Sequence, residues 1–446
     1  MANPLVLVHG YGSSGGAFWK WKDAFLAAGR KVEDISIGNY VTLNNEVTVD
    51  DIANGLQHAL HAKGIDSQPF DAIVHSTGML VMRSWLTASN VQAPRRGLLK
   101  HLIALAPATF GSPIAAKGRS LLGRIFEGNK HPGPDFLDSG NLVLNNLELG
   151  SEYTWNLAHK DLIDTKLYGP DNDTPYVFVF DGTNDYGKLA EIFLPKDQMG
   201  SDGVVRWSGV ALNARKITLN LGLAEGGVKW ADWSNLLDIP MIPVDGLNHN
   251  QILSKPPQEL IALVLQALAV NSKDDFAKFH EAAAAATVVQ LGKKRLATNR
   301  WQQFVVHARD SHGSAITDYS IEILAVAADG SETTLADFEA DVHPYAADHS
   351  FRCFHVRLDA LPSLAGRRLI ARIRASTGTD LVGYQGYGSN TAEGAAPDFG
   401  PVDLDISGYD GTQPGKASLF YPFTTTLIEI VLNREPVPPV KIFEWL

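Results

Sequence analysis

Along the first 110 residues, short apolar runs alternate with amphipathic stretches. Leu5–His9, Val32–Ile37, Phe70–Val74 and Leu102–Ala106 read as buried strands. Between them, Ala17–Ala28, Val49–Ala62 and Met79–Ala88 carry apolar residues at helical spacing. Strand–helix alternation of this kind builds a parallel sheet with helices on both faces, so the pattern predicts an α/β fold. From Thr109 to about Thr174 the alternation stops, and Gly, Pro and Asn mix with short helical pieces such as Ser120–Phe126 and Asn141–Leu149. It resumes at Tyr176–Phe180 and Ile239–Val244. Pro240 and Pro243 confine the latter to a sheet edge, because proline cannot donate to the ladder. A helix rich in Leu and Ala begins near Pro257.

Lys273–Gln290 is dominated by strong helix formers and reads as a connecting helix. Beyond it the texture is β-rich: Trp301–Arg309, Tyr319–Ala327, Phe351–Leu358, Leu369–Ala375 and Thr424–Leu432, with turns at Ala328-Asp329-Gly330 and Ser376-Thr377-Gly378. The later part of Leu369–Ala375 alternates as a half-exposed antiparallel strand would. These patterns divide the chain into an α/β domain over 1–272 with an insertion at 109–174, a linking helix over 273–290, and a sandwich-like all-β domain over 291–446.

Composition narrows the function. Of 446 residues, 45% are apolar and 20% charged, which suits a globular protein with a large core. The net charge of −11 repels phosphate backbones and argues against a nucleic-acid partner. Cys353 is the single cysteine, which excludes an intrachain disulfide and a thiolate zinc site. No stretch reaches the ~20 apolar residues of a membrane span. No secretory signal is visible at the N-terminus, which reads as cytoplasmic if that terminus is native and as secreted if a leader has been trimmed.

Two signals for chemistry compete. Gly10-Tyr11-Gly12-Ser13-Ser14-Gly15 satisfies the dinucleotide pattern G-x-G-x-x-G between a strand and a helix. The ribose-binding acid should then end the second strand, whereas Glu33 and Asp34 lie near its start. The other signal is Val74-His75-Ser76-Thr77-Gly78, also between a strand and a helix. A serine becomes a nucleophile when it is exposed on a tight turn, next to a base and faced by oxyanion donors. Gly78 makes such a turn sterically feasible, although Val74 stands where a leading glycine is usual. By default a serine in this position is only a helix N-cap. His9-Gly10-Tyr11 ends the first strand at the same sheet edge, so the amides of Tyr11 and Thr77 can converge on one oxygen.

With these two loops and Leu105-Ala106-Pro107-Ala108-Thr109-Phe110-Gly111-Ser112-Pro113, residues 4–270 resemble the α/β-hydrolase family, and bacterial lipases and esterases in particular. That resemblance implies a triad in the order Ser, acid, His, with Ser76 first. For the acid, Asp202 in Gly200-Ser201-Asp202-Gly203-Val204-Val205 matches the Asp-Gly-x-Val segment of many bacterial lipases and is favoured. Asp185, after the strand Tyr176–Phe180, is the alternative, and both could be plain turn residues. His249, in Gly246-Leu247-Asn248-His249-Asn250, falls where the resemblance puts the base. His75 is expected to pack under the turn or to compete as base, and His9 to order the oxyanion loop.

The implied chemistry is hydrolysis of a carboxylic ester through an acyl-enzyme, with no metal or organic cofactor. The implied partner is a small-molecule or lipid ester, with contact at a lipid interface compatible and oligomeric state unspecified. Phe110, Ile114, Leu121, Leu122, Ile125, Phe126, Phe136 and Leu137, punctuated by Gly111, Gly118, Gly123 and Gly128, read either as a mobile lid over an acyl pocket or as a packed cap. Tyr384, Tyr387, Phe420 and Tyr421 of the β domain are candidates for a binding strip, or for core. A lipid acyltransferase with the same triad, and a non-catalytic binding module of the same fold, are the competing functions.

Overall fold

The computed structural model describes residues 2–436 except 11–15, 17, 35–45, 89–94, 96, 118–140, 166, 172, 185–199, 222–226, 231–238, 240, 292–299, 339–340, 362–366, 380, 386–400 and 408–418. The chain forms two compact units, one of residues 1–213 with 236–299, the other of 214–235 with 300–446.

The first unit is a six-stranded, all-parallel sheet. In chain order its strands are β1 (Leu5–Val8), β2 (Val32–Asp34), β3 (Phe70–Ser76), β4 (Leu99–Pro107) and β5 (Tyr176–Gly182). After β6 (Ala214–Asn220) and β7 (Gly227–Trp230), which belong to the other unit, it is completed by β8 (Met241–Val244). The spatial order is β2-β1-β3-β4-β5-β8. β8 is the edge strand that its prolines demand, with Pro243 opposite Asp181. β1 and β3 are buried along their whole length, as runs without polar alternation require. Strand order reverses between β1 and β3, and in open α/β sheets the crevice at such a reversal, beyond the strands' carboxyl ends, is where ligands bind.

Helices α1 (Trp19–Ala27), α2 (Val49–Ala62) and α3 (Gly78–Thr87) follow the predicted apolar spacing. α2 starts on a capping box: Thr48 Oγ1 accepts the Asp51 N–H and Asp51 Oδ2 accepts the Thr48 N–H. α3 is buried on every side. Within 109–174, helices α4 (Asn141–Leu147) and α5 (Glu152–Ala158) and a π-helical turn at His159–Ile163 bury Val143, Leu147, Trp155 and Leu162. Leu121, Leu122, Ile125, Phe126, Phe136 and Leu137, with Gly118, Gly123, Gly128 and the helical piece Ser120–Phe126, lie outside the described residues. The helix at Lys273–Leu291 does more than link. Phe276 and Ala283 join the α/β core, and His280 stacks on Phe178 of β5 with centroids 5.5 Å apart.

The second unit contains a four-stranded antiparallel sheet and a seven-stranded mixed one, with a large apolar core and a small second cluster of Leu324, Val326 and Ile370. The first sheet has β10 (Tyr319–Val326) at its centre, between β11 (Glu332–Thr334) and β14 (Arg368–Ala375), with β16 (Val402–Asp405) on the far side of β14. The second runs β12 (Val342–Pro344), β13 (Phe351–Arg357), β9 (Trp301–Asp310), β17 (Thr425–Pro436), β6, β7, with β15 (Val382–Gln385) on β17. The division at 272 places 214–230 in the α/β domain. Here β6 pairs in parallel with β17, Ala214 opposite Thr425, so the division at 272 does not describe the molecule. The aromatic strip does not form either: Tyr384 lies in the core, Phe420 packs against it, and the Arg215 guanidinium covers Tyr421. Tyr387 is outside the described residues. Among the described residues no helix is long and apolar enough to cross a membrane.

Candidate active site

Ser76 ends β3 and Thr77 caps α3, so the turn between them is the strand-to-helix junction at the sheet's reversal point. Ser76 has φ +54°, a left-handed conformation that a residue with a Cβ adopts only under constraint. The constraint comes from close approaches. A Cβ on Gly10 would lie 2.7 Å from Ser76 Cβ, and one on Gly78 would lie 2.7 Å from the Val8 carbonyl oxygen. The tight contacts thus fall on Gly10 and Gly78, while Val74 sits in the strand between Val8 and Ala104, which is how this turn dispenses with a leading glycine. Gly10, first residue of the dinucleotide pattern, is committed to this packing. Glu33 is ion-paired with Lys31 and Lys63, and Asp34 closes β2. Gly12, Gly15 and Tyr11 lie outside the described residues.

Asp202 and His249 are brought together. Both are fully buried, His249 Nδ1 is 2.6 Å from Asp202 Oδ2, and the His249 amide donates to the Asp202 carbonyl at 3.1 Å. Asp202 Oδ1 accepts the Val204 and Val205 amides, each at 2.8 Å. Those bonds fix the carboxylate and aim Oδ2 at the imidazole, so Nδ1 carries the proton and Nε2 is left as the basic nitrogen. The Asp202 loop is gripped by the segment after β4: Thr109 Oγ1 donates to the Val210 carbonyl at 2.7 Å and Ser112 Oγ to that of Val204 at 2.5 Å. Asp185 lies outside the described residues.

His75 ties His249 to the serine turn. Its Nε2 donates to the His249 carbonyl at 2.9 Å, and the two rings lie 4.8 Å apart between centroids. Burial, then the neighbouring His249, lower the His75 pKa to about 3, so it stays neutral. His9 Nδ1 donates to the Gly10 carbonyl at 3.0 Å, within the loop that follows β1. Thr77 Oγ1 is buried and has no hydrogen-bond partner among the described residues.

Two features escaped the sequence. Arg83, in the middle of α3, is completely buried and forks onto Asp161 with Nε to Oδ2 at 2.7 Å and an Nη to Oδ1 at 2.8 Å, and it also donates to the Thr109 carbonyl. Asp181, at the end of β5, is enclosed beside Asp202, and burial followed by that neighbour raises its carboxyl well above the usual range. The only hint of it in the sequence is an acid closing the apolar run Tyr176–Phe180. Among the described residues no group of three or more His, Cys, Asp or Glu side chains could hold a metal.

A strained serine at the reversal point of a parallel sheet, with a buried Asp–His pair beside it, is the arrangement of an α/β-hydrolase fold. The chain as a whole shares its fold with phospholipase PlaB from Legionella pneumophila, at 24% identity and a TM-score of 0.77, covering 100% of this chain and 96% of that one. The same protein in complex with thio-NAD matches at 22% identity and a TM-score of 0.77, covering 99% and 96%. Bacillus licheniformis lipase BlEst2 in its mature form matches at 15% identity and a TM-score of only 0.38, over 59% of this chain and 92% of that one. No family model and no curated protein matches the sequence.

Proposed function

We propose that the α/β unit is a serine hydrolase that cleaves carboxylic esters of hydrophobic acids through an acyl-enzyme on Ser76. The observation that carries this reading is the buried Asp202–His249 pair, hydrogen-bonded to His75, the residue next to the strained Ser76. In the first step His249 Nε2 takes the Ser76 hydroxyl proton as Oγ attacks the ester carbonyl. The tetrahedral oxyanion is received by the Tyr11 and Thr77 amides, each worth about 3 kcal/mol of transition-state stabilisation. His249 then protonates the leaving alcohol, and water, deprotonated by the same nitrogen, releases the acid. Asp202 holds the tautomer and stabilises the imidazolium. The segment 109–174 is the proposed cap over the acyl group. Because PlaB is a phospholipase, glycerophospholipids belong among the first substrates to try.

The test is initial rates on p-nitrophenyl esters of graded acyl length and on phosphatidylcholine vesicles, for wild type and Ser76→Ala. The expected loss in kcat is on the order of 10⁶, as for removal of a triad serine. Activity that survives in Ser76→Ala moves the nucleophile elsewhere. A wild type inert on every ester leaves the fold with a binding role.

A further inference from the structure

Two carboxyl groups meet at the end of β5, and among the described residues no ion pair joins a cation to Asp181. Asp181 is fully enclosed, its Oδ1 accepts the Gly182 amide at 2.9 Å, and its Oδ2 meets no N–H or O–H donor among the described residues. The side chain is in hydrogen-bonding contact with Asp202. Two carboxylates are both acceptors, so such a contact requires that one of them keep its proton. The partners decide which one. Asp202 takes two amides and the His249 imidazole, whereas Asp181 takes a single amide. The negative charge therefore resides on Asp202 and the proton on Asp181.

We propose that Asp181 is a positioning residue, a neutral carboxylic acid at working pH that donates its O–H to the Asp202 carboxylate and so sets how strongly Asp202 supports His249. With that donor, the Val204 and Val205 amides and His249 Nδ1, the roughly four lone-pair sites of Asp202 are filled. The β5 end is immobilised for this role. A Cβ on Gly182 would collide with the Leu247 carbonyl oxygen, and Trp207 Nε1 donates to the Gly182 carbonyl at 3.0 Å, clamping the strand end between the loops of acid and base. The groups acting on Asp181 are burial, the Asp202 charge and the Gly182 amide. Behind Asp202 stand His249, then His75 and His9, and Asp245 takes the Thr183 hydroxyl at the strand exit. The arrangement resembles other carboxyl pairs that share a proton because like charges in contact cannot both ionise.

This role rests on the serine-hydrolase reading, and the proton on Asp181 can be tested apart from it. Asp181→Leu removes the donor at similar volume, and Asp181→Asn restores a neutral donor of the same shape. Asp181→Leu should lower kcat/KM about 10- to 100-fold, the worth of one hydrogen bond to a charged group, and move the acid limb of its pH profile upward, because an undersupported carboxylate favours the imidazolium more strongly. Asp181→Asn should recover most of that rate and the wild-type position of the limb. A limb that moves downward in both variants means that a charge was removed and overturns the proposal, as does an Asp181→Leu enzyme indistinguishable from wild type. Infrared spectra at neutral pH supply the readout that needs neither turnover nor the leucine variant. Wild type should show a carboxylic-acid carbonyl band that is missing in Asp181→Asn, and no such difference overturns the proposal. If the band behaves as expected while no Ser76-dependent esterolysis exists, the protonated pair stands and the catalytic reading falls.

Discussion

Asp161 and Asp202 are both fully buried in the α/β unit, and the fold accommodates them in opposite ways. Asp161 faces a permanent cation. The Arg83 fork takes both of its oxygens, and the Tyr168 hydroxyl donates to Oδ2 at 2.7 Å. Burial alone would lower the Arg83 pKa, but Asp161 reverses this and raises it, so the charge is never in play. Asp202 faces a histidine, and its remaining partners are two amides and a neighbouring acid. The first arrangement holds the π-helical turn and the Thr109 loop to the helix behind Ser76, and it does no more than hold. The second places no permanent cation on the carboxylate, only an imidazole and two backbone amides. A buried acid paired with arginine is a fastener, whereas one paired with histidine and fixed dipoles can serve a reaction.

The contrast can be broken most severely on the histidine side. Asp202→Asn should leave the fold intact and reduce esterolysis by about 10⁴, because the imidazole loses the partner that fixes its tautomer. Matching thermal melts for mutant and wild type, alongside the rates, would separate this loss from unfolding. On the arginine side the effect should be on stability. Arg83→Ala strands a buried carboxylate and should cost about 3–5 kcal/mol, read as a shifted urea midpoint. An Arg83→Ala protein as stable as wild type would mean that Asp161 finds water or a proton at little cost.

A finer test uses His75, the neutral histidine that adjoins Ser76 and bonds to His249. Its folded pKa of about 3 lies below the unfolded value of 6.5, so the unfolded chain binds the extra proton in between. Stability is therefore lost as pH falls from 6.5 towards 3, by up to about 1.4 kcal/mol per pH unit. His75→Gln keeps a donor for the His249 carbonyl but cannot titrate. Its stability should fall less steeply over that range, and identical slopes would show that His75 is already protonated in the fold.

Much of this was legible in the sequence, and the exceptions share a cause. The strand–helix rhythm predicts the parallel sheet, the prolines predict the β8 edge, and Gly78 marks the serine turn. These are local signals, set by side-chain period and by the space a Cβ needs. Asp202 and His249 were legible through the surroundings of each, Asp-Gly-x-Val and Asn-His, although their contact spans 47 residues. Arg83 was not, because an arginine in Gly78–Thr87 looks like a solvent-facing helix residue until Asp161 arrives from the insertion. Asp181 was not, because an acid before a glycine is ordinary turn chemistry. Ala214–Asn220 was misassigned because an alternating strand carries no sign of which sheet it will join, and its partner lies two hundred residues further on.

That last pairing bears on how the molecule is made. β17 lies between β9 and β6, in parallel with each, and all three are in the seven-stranded sheet. During synthesis from the N-terminus, β6 and β7 emerge about two hundred residues before β17 and until then present an edge of unpaired backbone groups. Parallel pairing across such a separation carries a high loop-closure cost and forms slowly. A nascent chain halted in Thr425–Pro436 would leave β6 and β9 both waiting for the same missing neighbour. The ribosome thus delivers the keystone of the β unit after everything it joins, and aggregation through the waiting edges is the hazard to expect in that interval.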